Sequence, residues 1–329
     1  MKIYVLGNRN IELEKLNSQR NIIIYVTLLE AIIKSLLKKG CIVYSNEKNT
    51  LLDICEKILK IPYLYGKMDN ILEFENHYSK IKKYEIPILM YHQFVKNKED
   101  GGKIKLFVTE KQFETHLKIL KFLGYQTITF EELHQIGLQN RFDKKYIILT
   151  VDDGYKDNYE ILYPILKKYN MKAVIFLVSG LKYNKWTIES SDEKYFELME
   201  DKEVLELQNS GLVEFGGHTL THLSFLNADR NTAEYEVAED KKITENRLRK
   251  NLKVFAYPYG HRKDETKDIV KENGYMFAVS TDTGSGIITE DLYDIRRTAI
   301  DKTSLFDFLR KISPGYLQYK AKKYKNKRR

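Results

Sequence analysis

A chain of 329 residues, 43% hydrophobic and 31% charged, has the length for about two domains and the composition of a folded protein, which excludes disordered and collagen-like classes. Two cysteines, Cys41 and Cys55, cannot build a disulfide framework, so a small secreted scaffold is excluded and a reducing compartment suits the chain. The net charge of +9 resides mostly in Lys320, Lys322, Lys323, Lys325, Lys327, Arg328 and Arg329, where no acid intervenes; the body is near neutral and does not read as a nucleic-acid-binding surface.

In chain order, residues 1–6 and 22–26 read as short buried strands, and 28–39 and 51–59 carry the three-to-four spacing of helices. The stretch 21–37 is interrupted by Glu30 and Lys34, so it reads as a strand entering an amphipathic helix rather than a membrane span or an export signal. Residues 1–80 thus form a small α/β segment without recognisable chemistry, joined through a charged, aromatic connector at 73–85.

From residue 86 the pattern becomes regular. Apolar runs at 86–91, 146–151, 173–178, 212–215, 254–257 and 277–280 alternate with helical patterns at 109–123, 155–169, 228–249 and 264–273. Continuous apolar strands between amphipathic helices predict a parallel sheet covered by helices, either an open doubly wound sheet or a barrel. No glycine-rich G-x-G-x-x-G loop follows a strand, which disfavours a dinucleotide site. Residues 301–329 read as a C-terminal helix and a basic tail.

Polar residues stand where such folds keep their ligands, at the carboxyl ends of strands. The run 146–151 leads into Asp152-Asp153-Gly154-Tyr155, and 212–215 leads into Gly216-Gly217-His218-Thr219-Leu220-Thr221-His222. Asp-Asp-Gly alone fits a turn with a helix N-cap as well as it fits a site. His218 and His222, four apart, can reach one cation from a helical turn. Together, one carboxylate and two imidazoles with open positions suit a catalytic metal, zinc by default, although non-haem iron takes the same ligands. A leftover aspartate can then accept a proton from water, which favours hydrolysis.

These motifs resemble the NodB-type polysaccharide deacetylases, carbohydrate esterase family four, over residues 86–300. Pro87-Ile88-Leu89-Met90-Tyr91-His92 is similar to an opening strand of the bacterial branch. Thr150-Val151-Asp152-Asp153-Gly154-Tyr155, His218-Thr219-Leu220-Thr221-His222 and Phe255-Ala256-Tyr257-Pro258-Tyr259-Gly260 resemble the first three catalytic motifs, in order. The resemblance implies a distorted (β/α) barrel of about seven strands. It also implies hydrolysis of N-acetyl groups on amino sugars of a glycan or glycolipid. Asp152 would be the base, and Asp153, His218 and His222 would hold a divalent metal: Zn first, with Co, Ni or Fe as alternatives. Tyr259 would offer its backbone N–H to the oxyanion, with Pro258 holding the loop and Tyr155 beside the substrate.

Departures from the pattern are specific. The arginine that usually opens the third motif is replaced by Ala256, and Arg297 in the last strand is the candidate substitute, with a surface ion pair as its alternative. No histidine follows His261 to serve as the usual acid, so His92 at the end of the first strand is the replacement candidate, with a structural buried histidine as the alternative. Asp282 lies in the region of the fourth motif, and His77, His116 and His134 fall outside motif positions. Other expectations to weigh are removal of an O-acetyl or N-formyl group, and a non-catalytic carbohydrate-binding relative. Without an export signal or a span, the expected location is the cytoplasm or the inner membrane surface, where the basic tail could meet anionic lipid.

Overall fold

The computed structural model describes residues 2–6, 22–26, 41–45, 63–65, 86–138, 144–281, 288–301, 303–313, 316, 317 and 320. In the N-terminal stretch, β1 (Lys2–Leu6), β2 (Ile22–Val26), β3 (Cys41–Ser45) and β4 (Tyr63–Tyr65) pair in parallel in the order β2-β1-β3-β4. Both expected strands are present; the expected helices at 28–39 and 51–59, and the connector at 73–85, lie outside the described residues.

A second parallel sheet is built from β5 (Ile88–Tyr91), β9 (Lys145–Val151), β10 (Ala173–Leu177), β11 (Val213–Gly217), β12 (Val254–Ala256) and β13 (Phe277–Ser280). Two further pairs, β14 (Ile295–Arg296) on β13 and β15 (Thr298–Ala299) on β5, belong to one continuous segment. That segment bridges the two ends of the sheet, with Arg297 at its midpoint, so seven strands close into a distorted barrel if 295–299 is counted once. Peripheral pairings complete the described strands. β6 (Gln93–Val95) pairs with β7 (Phe107–Thr109), and β8 (Tyr125–Thr127) lies along the start of β9.

Apolar residues occupy both faces of these strands because both are covered. Ile88, Ile148, Val174, Phe176, Val254, Ala256, Val279 and Ile295 fill the interior. Their alternates Leu89, Leu149, Ile175, Phe215, Phe255 and Ala278 pack outward among helix residues. The helices are α1 (Glu110–Phe122), α2 (Phe130–Ile136), α3 (Tyr163–Tyr169), α4 (Lys185–Ser191), α5 (Asp201–Asn209), α6 (Arg230–Leu248), α7 (Asp264–Glu272) and α8 (Leu305–Lys311). α2 sends Phe130 and Leu133 into the interior cluster, with the Phe130 ring 5.4 Å from that of Phe277, the first residue of β13. The amino end of the barrel is thereby plugged, leaving the carboxyl ends open to ligands. Among the described residues, no helix is long and apolar enough to cross a membrane.

The helix expected over 155–169 is instead a π-helix, Asn158–Leu162, followed by α3. Pro164 in the first turn of α3 has no N–H to continue an α ladder from residue 160. Just upstream, Asp157 accepts from the Phe94 N–H at 3.0 Å, and Asn158 Nδ2 donates to the His92 carbonyl at 3.1 Å. The irregular turn therefore anchors the backbone that follows β5.

β11 ends in two glycines because its surroundings leave no room for side chains. A Cβ on Gly217 would stand 2.2 Å from the Tyr275 hydroxyl and 2.5 Å from Asp240 Oδ2. Gly217→Ala should cost about 1–3 kcal/mol by overpacking, read as a lower urea midpoint. An unchanged midpoint would mean that both neighbours yield freely.

Candidate active site

The carboxyl end of β9 turns sharply at Asp152 and Asp153. Asp153 (φ 76) and Gly154 (φ 75) both take left-handed backbone, which sends the two carboxylates in different directions. Asp152 N donates to the Tyr91 carbonyl at 3.0 Å, tying the turn to the end of β5. Its carboxylate meets Arg297, which is 1% exposed and therefore buried, not part of a surface ion pair. Arg297 Nη2 donates to Asp152 Oδ2 at 2.7 Å and Nη1 donates to Oδ1. The guanidinium is itself fixed: Nε donates to the Ser280 carbonyl at 3.2 Å, Nη1 also donates to Thr150 Oγ1 at 3.1 Å, and Cζ lies 5.4 Å from the centre of the Phe176 ring. Burial would push the Asp152 carboxyl up, but the Arg297 charge and hydrogen bonds outweigh it and hold the group below its ordinary range. Asp152 is therefore ionised at neutral pH.

His92, which follows β5, brings Nε2 to 4.0 Å from Asp152 Oδ2, and its side chain is 14% exposed. On the other side, Asp153 Oδ1 lies 3.3 Å from His218 Nε2 and 3.2 Å from His222 Nε2, with all three residues buried. The expected helical turn at 218–222 is not what joins the two histidines. Thr219 (φ 67) and His222 (φ 63) are left-handed, so the segment is a bent loop that folds both imidazoles onto one point. Left-handed backbone at non-glycine residues costs about 1–3 kcal/mol each, and such strain gathers at functional sites. Thr219, His222, Asp153 and Tyr259 (φ 58) all show it here.

A cation fits this donor set. His218 Nδ1 donates to the Ala256 carbonyl at 2.7 Å, which commits its hydrogen there and aims Nε2 at the Asp153 carboxylate. Asp153 Oδ1 is buried with no geometrically sound hydrogen bond despite its two close nitrogens, as expected for lone pairs that converge on a shared positive charge. Burial would raise the Asp153 carboxyl, yet the two imidazoles hold it well below its usual range; burial also keeps His222 low and hence neutral. Burial opposes a proton on His218, but Asp153 and Asp152 outweigh it and raise that group, so an entering cation competes with a proton.

The third strand end supplies a tight turn. Pro258 is buried, and the N–H groups of Gly260 and His261 are bonded within the turn to the carbonyls of Tyr257 and Pro258. Tyr259 has no such backbone acceptor among the described residues, and its 48% exposed side chain meets the His222 ring edge-on at 4.6 Å. Tyr155 is buried behind Asp153, with its ring against Phe196 and Trp186. Burial and the Asp153 charge push its phenol well above the usual range.

The remaining sequence candidates fall elsewhere. His116 is a buried helix residue stacked on Phe308 at 3.9 Å, and His134 is exposed on α2. His261 flanks the site, bonded through Nδ1 to Ser224 Oγ at 2.9 Å. Asp282 and His77 lie outside the described residues. Sequence reasoning missed Trp186, whose ring stacks on His222 with centroids 4.5 Å apart and an angle of 18°. Its one available signal was that it is the chain's lone tryptophan, in the first turn of α4.

A family model described as polysaccharide deacetylase matches residues 139–278. YxkH of Bacillus subtilis, named for polysaccharide deacetylases, is 30% identical over 220 residues, covering 67% of this chain and 72% of that protein. The chain belongs to the polysaccharide deacetylase family, of the NodB type. Another member, the poly-beta-1,6-N-acetyl-D-glucosamine N-deacetylase of Staphylococcus aureus, is 29% identical over 217 residues, 64% of this chain and 72% of that one. Among solved deacetylases, PplD of Streptococcus pyogenes in complex with acetate superposes with a TM-score of 0.60 at 29% identity, over 70% of this chain and 99% of that chain. Within this deacetylase family, the barrel, its open carboxyl rim and the Asp-His-His cluster form one consistent picture.

Proposed function

We propose that the protein is a metal-dependent N-deacetylase acting on an N-acetylhexosamine unit of a glycan or glycolipid. The observation that carries this reading is the convergence of Asp153, His218 and His222 on one point beside a separate, ionised Asp152. A divalent cation held by the three ligands, zinc by donor type, would polarise the acetyl carbonyl and make a neighbouring water more acidic.

The chain's own groups perform the remaining tasks. Asp152 takes the proton of the attacking water: Arg297 fixes its orientation, and each carboxylate oxygen keeps a second lone pair free. The Tyr259 N–H donates to the oxygen that becomes negative, in a turn fixed by Pro258. His92 delivers a proton to the departing amine nitrogen across the Asp152 side of the cleft. Tyr155 backs the Asp153 side of the cleft from its buried position. Two protons thus move in opposite senses, from water to Asp152 and from His92 to the amine, and acetate and the free amine leave.

The chain's single tryptophan makes the cation step visible without any turnover. Trp186 stacks on His222, so charging that imidazole through a bound cation should quench the indole fluorescence. Zinc added to chelated protein should change the fluorescence, and acetate release from N-acetylglucosamine oligosaccharides should recover over the same range. Full acetate release in excess chelator would overturn the reading.

A further inference from the structure

The loop that carries both imidazoles is gripped from one helix. On α6, Glu236 Oε2 accepts from the Thr221 N–H at 2.9 Å, Glu236 Oε1 accepts from Thr221 Oγ1 at 2.7 Å, and the Glu236 carbonyl accepts from the Leu220 N–H at 3.2 Å. One turn later, Asp240 Oδ2 accepts from the His218 N–H at 3.1 Å. From the opposite side, Gly180 N donates to the Leu220 carbonyl at 2.8 Å, and a Cβ at Gly180 would lie 2.6 Å from that oxygen.

Both acids are buried, on the same helix face as Ala233, Val237 and Leu248. An apolar face does not hold carboxylates without compensation, because a buried acid lacking partners is costly. Here the partners are the N–H groups of His218 and Thr221 and the Thr221 hydroxyl, and the restrained loop includes the strained Thr219. If this restraint were absent, part of the cation's binding energy would go into ordering the loop.

We infer that Glu236 and Asp240 are positioning residues that preset the His218–His222 loop for its cation. The inference rests on the metal reading above and deepens it, since neither acid reaches the cation position itself. Groups that orient metal ligands are worth about 10–100-fold in metal affinity.

The test uses the full chain, with zinc affinity read from Trp186 fluorescence against a competing chelator and the thermal midpoint of each metal-free protein recorded alongside. Glu236→Ala should weaken zinc binding by about 10–100-fold. Glu236→Gln keeps an oxygen for the Thr221 N–H and should restore affinity close to wild type, as should Asp240→Asn for the His218 N–H. If Glu236→Ala fails to fold, Glu236→Asp keeps the buried charge, withdraws it from Thr221, and should show the same weakening. Wild-type zinc affinity in a folded Glu236→Ala or Glu236→Asp protein would overturn the inference while leaving the metal reading intact. A wild-type protein that binds none of zinc, cobalt, nickel or iron would overturn both.

Discussion

Asp152→Asn should keep its full complement of cation and lose acetate release by about 10²–10⁴-fold in kcat, the range that a positioned base supplies. The substitution preserves size and still offers one oxygen to Arg297, so the barrel should remain closed. Asp153, His218 and His222 stand apart from it and should hold the cation as before. An amide cannot accept the proton of the attacking water, so the loss should fall on kcat with little change in KM. Metal content by atomic emission and steady-state acetate release are the two measurements. Wild-type turnover in Asp152→Asn would remove the proposed base, and loss of metal along with turnover would show that the two aspartates do not have separate tasks.

Arg297→Met should be the most destabilising single change at this site. It leaves Asp152 buried without its partner, and breaking a buried pair in this way costs about 3–5 kcal/mol. The sign of its pH dependence follows from the two environments. In the wild type, Arg297 holds the Asp152 carboxyl below its ordinary range. That pairing contributes stability above pH about 4, and the contribution is lost as pH falls through the depressed value. In the variant, burial, the largest influence on the carboxyl, is opposed only by the smaller effects of His218 and His92, so the group should rise and stability should decline as pH rises from about 4 through the raised value. The gap in urea midpoint between wild type and variant should therefore be wider at pH 8 than at pH 4. Adding Asp152→Asn to the variant should recover part of the loss. A gap of equal size at both pH values would show that the ion pair is not the source of the cost.

Legibility in the sequence followed the physics of each element. Strands such as β9, β10 and β13 were readable because burial on both faces makes them unbroken apolar runs. The closing segment of β14 and β15 was legible only through the family resemblance, as a last strand around Arg297, because two residues each give no period to detect. The π-helix at Asn158–Leu162 was hidden by an ordinary amphipathic spacing, and the interruption comes from Pro164 and from side chains that bond a distant loop. At the site, Asp152, Asp153, His218 and His222 stood out because strand ends deliver them in compact motifs. The manner in which the histidines converge was not visible, since left-handed backbone at Thr219 and His222 has no residue signature of the kind that glycine provides. Trp186 meets His222 and Glu236 meets Thr221 across many residues of sequence, and nothing near either one marks its partner.

The segment that closes the barrel also sets the order in which the protein can become itself. Arg297 reaches Asp152 across 145 residues of sequence, and it leaves the ribosome long after the aspartate does. During synthesis every strand from β5 to β13 can pair while Asp152 is still without its partner, and that charge opposes sealing the interior around it. Nascent chains ending before residue 295 should therefore stay open at the seam. Arrival of a five-residue stretch would neutralise the charge and join the sheet edges in the same event, so a closed barrel around an unpaired Asp152 is not expected on this route.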